Sequence, residues 1–191
     1  MGDPKKARKT YSRPRSPWRA DQLAQELYLL GNFGLRNKRE LWKAETSLSE
    51  VRKQARTLLA ATVEVRQREE RKLLASLHRK GLVAENAALD DILNLTIEDV
   101  LARRLQTLVF KKGMALSPLH ARQLIVHGHV MLRERRIKTP GYGVRRDEEG
   151  TMKLVGVKEP AKPQELGARN PAVAQEPHGA EKPAVEAAAP E

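Results

Sequence analysis

The chain contains no cysteine. That single absence removes disulfides, thiolate nucleophiles and cysteine-type zinc sites. It also lacks any apolar run near the roughly 18 residues that a membrane-crossing helix requires. The first residues carry no apolar core of the kind a secretory signal needs, so a cytosolic chain is expected. No phosphate-cradling P-loop and no GxGxxG occurs, and no serine sits in a nucleophile elbow. No internal repeat is visible. The carboxylate clusters, Asp90-Asp91 and Asp147-Glu148-Glu149, read as a helix start and a polar turn. The expectation is therefore no catalytic residue, no cofactor, no membrane and no small-molecule substrate.

What the chain has is positive charge. Its 191 residues hold 36 Lys and Arg against 24 Asp and Glu, a net charge of +12. The charge is uneven. Residues 1–20 contain seven basic side chains (Lys5, Lys6, Arg8, Lys9, Arg13, Arg15 and Arg19) and one acid, Asp3, whereas residues 161–191 are slightly acidic. A basic body of this kind is the electrostatic footprint of a polyanion binder. Of the polyanions such a chain could bind (RNA, DNA or an anionic membrane surface), the membrane is the weakest candidate, and nucleic acid is the natural partner.

Four segments follow from the patterning. Residues 1–17, a Lys, Arg, Pro and Ser arm without apolar periodicity, are predicted to order only on a phosphate backbone. Residues 18–95 are predicted to be helical. Leu23, Leu27 and Leu30 form one run, ended by Gly31 and Gly34. Leu48, Val51, Ala55, Leu58 and Leu59 form a second. Leu73, Leu74 and Leu77 lie on a third helix, roughly Glu64 to Lys80, with Gly81 as its cap. Residues 96–158 change pattern. Thr96 with Asp99 forms an acidic variant of the capping box, and one helix is expected from Ile97 to Lys111. Ser117-Pro118 opens another, ended by Gly128. Short strands follow at Val130–Leu132, Arg136–Lys138, Tyr142–Arg145 and Met152–Val155. Residues 159–191, rich in Ala and Pro, are predicted to be disordered. The fold class is α+β: a mainly helical N-terminal region, a module of two helices on a short twisted antiparallel sheet, and a disordered tail.

Several side chains of the module suit phosphate binding, Arg bidentately and Lys as a point charge. On one continuous helix Arg104 and Lys111, seven residues apart, would share a line beside the apolar stripe, with Arg103 on the far side. Arg122, Gln123 and His127 belong to the next helix; Arg133, Arg135, Arg136 and Lys138 belong to the strand region. Five of the seven aromatics fall between residues 11 and 42 and interleave with Arg13, Arg15, Arg19, Arg36, Lys38 and Arg39. Phe33 and Trp42 are expected in the core. Tyr11, in the arm, is the candidate for stacking on an unpaired base. His127-Gly128-His129 invites a metal reading, but with no regularly spaced third ligand a phosphate contact or structural cap is expected and no metal.

Two stretches carry a resemblance. The sequence from Val100 to Ala115 (VLARRLQTLVFKKGMA), with that from His120 to Val130 (HARQLIVHGHV), resembles the RNA-binding module of the small-subunit ribosomal protein four family. That module also occurs in RNA-modifying enzymes and a synthetase. The N-terminal half narrows the match: GDPKK at 2–6, RKTY at 8–11, PRSPW at 14–18 and GLRNKRELW at 34–42 resemble the archaeal and eukaryotic form. The resemblance covers about residues 1–158.

It implies a primary binder of small-subunit ribosomal RNA, docked at a multi-helix junction of the 5′ domain, which starts subunit assembly. It also implies neighbouring ribosomal proteins, a place on the cytoplasmic ribosome near where messenger RNA enters, and an influence on decoding accuracy. The resemblance places Arg103, Arg104, Lys111, Lys112, Arg122, Gln123, His127 and His129 in the RNA-binding module; that these side chains touch RNA is read from their expected exposure, as it is for Arg136 and Lys138 and for Lys5, Lys6, Arg8, Lys9, Tyr11, Arg13, Arg15, Arg36, Lys38 and Arg39. The expected mechanism is electrostatic capture with counterion release, followed by recognition of RNA shape. One departure stands out: Arg133-Glu134 occupies the turn where many relatives have an Asn-Gly or Gly-Gly type. An RNA-modifying enzyme and an assembly factor that leaves the mature subunit are the competing readings.

Overall fold

The computed structural model describes residues 9–156. Lys5, Lys6, Arg8 and the Ala/Pro-rich tail lie outside them. Helix α1 (Ala20–Phe33) runs through Gly31 and ends at Gly34, whose left-handed φ of 57° lets the chain reverse. There Gly34 N–H donates to the Gly31 carbonyl and Leu35 N–H to that of Leu30, a C-terminal motif that satisfies otherwise orphaned carbonyls. Helix α2 (Lys38–Leu59) starts at Asn37, whose side chain accepts from the Glu40 N–H at 3.3 Å. Leu41, Ala44, Leu48 and Ala55, spaced by threes, fours and sevens, are its buried face, the spacing that keeps side chains on one side of a helix. Helix α3 (Val63–Lys80) returns along α2 and stops at Gly81, and α4 (Leu89–Asn94) packs back on α2. At the start of α4, Asp91 accepts from the Ala88 N–H at 2.9 Å, so the Asp90-Asp91 pair is a helix start.

Helix α5 (Ile97–Ala102) has the expected cap: Thr96 N–H donates to Asp99 at 2.8 Å, and the Asp99 N–H donates back to the Thr96 hydroxyl at 3.4 Å. The single helix expected from Ile97 to Lys111 is corrected here. It is two helices, α5 and α6 (Leu105–Lys111), because Arg104 turns to an extended conformation, φ −73° and ψ 143°. Leu105 and Gln106 then donate their N–H groups to the carbonyls of Tyr142 and Pro140, and Arg104 bridges to Gly143. A segment some forty residues away thus supplies the acceptors that a continuous helix would have supplied itself.

Helix α7 (Pro118–Val126) opens at Ser117, which accepts from the His120 N–H at 3.1 Å, and gives way at Gly128 to strand β1 (Val130–Leu132). The sheet is antiparallel, in the order β2 (Arg135–Arg136), β1, β3 (Met152–Leu154). The fourth expected strand ends one residue early, at Leu154, and two others differ more. The second starts one residue earlier and is shortened to Arg135–Arg136. The third, Tyr142–Arg145, is an isolated bridge at Gly143, because its neighbours bond the start of α6 instead of a strand. The acidic turn winds into a short helix α8 (Arg146–Glu149), with Glu148 accepting from the Arg145 N–H.

Three apolar clusters hold these parts. One fills the module between α6, α7 and the sheet, around Leu105, Val109, Ile125 and Val130. A second joins α2, α3 and α4 around Leu77 and Ile92. The third joins Leu35 and α2 to α5 through Leu41 and Leu101. Fully burying one such aliphatic side chain contributes about 1.5–3 kcal/mol. No described helix is long and apolar enough to cross a membrane.

Candidate nucleic-acid interface

The cations fall into two structural populations. The first is committed to internal partners. Arg104 Nη2 donates to Glu40 at 2.7 Å, and Arg122 Nη2 donates to the other oxygen of the same carboxylate at 2.6 Å. Beside Arg122 lies Gln106, fully buried, which accepts from Arg122 at 3.3 Å and donates to the carbonyls of Gly34 and Pro118 at 2.8 and 2.9 Å. Glu40 comes from the first turn of α2, so this group fastens the helical region to the module. Burial alone would raise the Glu40 carboxyl; the Arg122 hydrogen bond and the charges of Arg104 and Arg122 outweigh it and hold it below the ordinary glutamate range. Burial correspondingly pulls the Arg104 guanidinium down, and Glu40 supports it.

Arg103 makes a second fastening. It donates to the carbonyls of Lys80 and Val144 at 3.1 and 3.2 Å and to Glu149 at 2.9 Å. The side chains of Arg103, Arg104 and Arg122 keep only 18, 12 and 20% of their exposure. The expectation that these three stand on an open phosphate-binding face is therefore corrected. The bend at Arg103-Arg104 swings those two inward, whereas a continuous helix would have pointed them along its surface; Arg122, on α7, is drawn in by Glu40.

Three other expected residues are also engaged. Lys38 pairs with the buried Glu26 at 2.9 Å, Lys112 donates to the Glu149 carbonyl, and Tyr11 stacks on Trp42 with ring centroids 6.0 Å apart. Trp42 is half-buried, and its indole N–H donates to Glu26 at 3.2 Å. Tyr11, expected to be free for an unpaired base, is instead packed against α2, with Lys9 lying 5.9 Å over its ring.

The second population is exposed. It comprises Lys9, Arg13 and Arg15 in the arm, Arg36 and Arg39 around the start of α2, and Lys111, Gln123, His127, Arg136 and Lys138 in the module. Apart from the contact of Lys9 with Tyr11, none of these is in an ion pair or aromatic contact with another described residue, save the tilted His127–His129 pair at 6.4 Å. His129 is half-buried, with Nδ1 3.2 Å from the Val155 carbonyl. No group of three or more metal-ligating side chains gathers among the described residues.

The sheet adds a row. In its register Met131 is opposite Arg136 on one side and Lys153 on the other. Directly opposed residues share a face, and Val130 and Leu132 point into the core, so Arg136, Met131 and Lys153 line the outer face. Sequence reading missed Lys153; its alternation with the buried Met152 was the available signal. Lys138 lies across Gly128, where an added Cβ would meet its Cε at 3.2 Å, and so joins this row to the end of α7. At the hairpin turn Arg133 adopts φ 55°, the one positive φ among described residues other than glycine. It occupies the place where a two-residue turn favours Gly or Asn.

Comparison with known proteins gives one consistent answer. The family described as S4 domain matches residues 103–149. The chain is 56% identical over 149 residues to Small ribosomal subunit protein uS4 of Ignicoccus hospitalis, covering 78% of this chain and 90% of that one. The same identity over 149 residues holds for the protein of that name from Hyperthermus butylicus, with 78 and 85% covered. For that of Methanothermobacter thermautotrophicus the identity is 49% over 149 residues, with 78 and 87% covered.

Proposed function

The chain belongs to the family of small ribosomal subunit protein uS4, and from that membership we infer that it is a structural constituent of the small ribosomal subunit, bound directly to ribosomal RNA and to neighbouring ribosomal proteins. It is not an enzyme; its family is one of ribosomal structural proteins. Its place of work is the cytoplasmic ribosome.

Beyond that, the reading has three finer parts. The RNA site is a multi-helix junction in the 5′ domain of the small-subunit RNA. Binding there starts subunit assembly. The bound protein lies near where messenger RNA enters, contributes to decoding accuracy and has messenger RNA as a further contact. The observation that supports direct RNA binding is the exposed polar set: the cations Arg36 and Arg39 at α2, Lys111 on α6, and Arg136, Lys138 and Lys153 in the sheet region, with Gln123 on α7 and His127 just beyond it as hydrogen-bonding neighbours. The Lys and Arg groups keep their charge free for phosphate, which binds them with release of counterions. A-form RNA hides its major-groove edges, so selectivity comes from junction shape and 2′-hydroxyls. In this account Arg103, Arg104 and Arg122 shape the face from behind and do not supply its phosphate contacts.

The test is sedimentation of cell extract through a high-salt sucrose gradient. The protein is expected to stay with mature small subunits. If it runs only with precursor particles, the assembly-factor reading takes its place; if it runs free, the ribosomal reading fails.

A further inference from the structure

Trp18 is 86% exposed, the most exposed of the large hydrophobic side chains among the described residues. Leaving so large an apolar surface in water is costly at about 25 cal/mol per Å², and ordinary folding would tuck it away. It is nevertheless held in place on both sides. Six residues before it, the Ser12 N–H donates to the Thr46 hydroxyl at 3.0 Å, fixing the arm on α2. One residue after it, the Arg19 carbonyl accepts from Leu23 at 2.9 Å and begins α1. Pro14 and Pro17 stiffen the six residues between, and Pro17-Trp18 lies in a turn. The indole therefore stands at the apex of a tethered, stiff segment.

Its neighbours along the chain are of one charge, with Arg19 also bordering a cleft that holds Asp21, Glu26 and Glu45 on the α1 side. Arg13, Arg15 and Arg19 are exposed, none is in an ion pair among the described residues, and no acid occurs between Ser12 and Ala20. An aromatic face flanked by free guanidiniums is the combination that holds single-stranded nucleic acid: the ring stacks on a base and the cations take the phosphates on either side. A protein neighbour would use the indole equally well, but would need carboxylates opposite three arginines.

We propose that Trp18 is a stacking platform for one unpaired base of the ribosomal RNA, with Arg13, Arg15 and Arg19 holding the adjoining phosphates. This rests on the reading of the chain as an RNA-binding ribosomal protein. It also moves the stacking role from Tyr11, which is already stacked on Trp42, to the neighbouring aromatic that is free.

The sequence contains two tryptophans, which makes the test direct. The full chain and its Trp18→Phe and Trp18→Ala variants are titrated with a transcript of small-subunit ribosomal RNA. Retention on a filter gives affinity, and the emission difference between the intact chain and W18F reports Trp18 alone. The expected result is quenching of the Trp18 emission on binding, about tenfold weaker affinity for W18A, and near-normal affinity for W18F. RNA retained with equal affinity by W18A and with unchanged emission overturns the stacking role and leaves RNA binding intact. Emission that changes only when the protein enters assembled subunits assigns Trp18 to a protein neighbour and also overturns it. Failure of the intact chain to retain RNA removes both readings. Because the side chain is almost wholly in solvent, W18A is expected to unfold at the same urea concentration as the intact chain.

Discussion

Glu40→Ala is expected to lower the unfolding free energy by about 3 kcal/mol, the scale on which removing one member of a desolvated ion pair destabilises a protein. The reason is what remains behind. Arg104 and Arg122 would keep their charges in a seam where their side chains are only 12 and 20% exposed, with no other carboxylate among the described residues paired to them. For a chain of this size the thermal midpoint falls by roughly 2–4 °C per kcal/mol, so by about 6–12 °C. Glu40→Gln, which can still accept hydrogen bonds but carries no charge, is expected to lose about half as much.

The pH dependence separates this mechanism from simple loss of packing. The folded Glu40 carboxyl is held below its unfolded value. Its contribution is therefore complete above the ordinary glutamate range and is lost as pH falls through the depressed folded value. Urea unfolding at neutral pH and again in acid should show the gap between wild type and E40A narrowing in acid. A constant gap would mean that the charge is not what Glu40 contributes.

The second large effect is expected at Gly34. Its φ of 57° lies where side chains are disfavoured, and a Cβ there would stand 2.7 Å from Pro118 Cβ and 3.2 Å from the Pro118 carbonyl carbon. Backbone conformation costs about 1–2 kcal/mol and overpacking about 1–3 kcal/mol, so Gly34→Ala should destabilise by about 3 kcal/mol. Gly31, three residues earlier, is the control. It sits inside α1 with nothing within 4 Å of an added Cβ, and Gly31→Ala should be neutral or stabilise by up to about 1 kcal/mol. A denaturation series in which G34A unfolds like wild type would mean that α1 and α7 do not approach as closely as described.

These two sites show how far the residues alone could be read. Local signals were legible: Ser117 is a cap that acts within three residues, Thr96 and Asp99 form their box, and Gly34 and Gly81 stop their helices. The α+β class, helix α7 of the module and the antiparallel sheet followed from such signals and from periodicity. Long-range bonds were not legible. The break at Arg103-Arg104 depends on carbonyls at 140 and 142, and nothing within the helical pattern foretells it. Glu40 meets Arg104 and Arg122 across 64 and 82 residues, so a wheel that placed both arginines outward had no means of seeing their partner. Tyr11 is the same case, claimed by Trp42. The amount of positive charge was plain in the sequence; its division between seam and surface was not.

That division is the central claim, and one paired measurement tests it most directly. Arg136→Gln/Lys138→Gln and Arg104→Gln/Arg122→Gln are compared for urea unfolding and for affinity to a small-subunit ribosomal RNA transcript across a salt series. The surface pair is expected to unfold like wild type, bind more weakly, and reduce the slope of log affinity against log salt by about 2. The seam pair is expected to lose stability while its folded fraction keeps the wild-type slope. The reverse outcome, wild-type binding by the surface pair and a reduced slope in a seam pair that remains folded, would contradict the account.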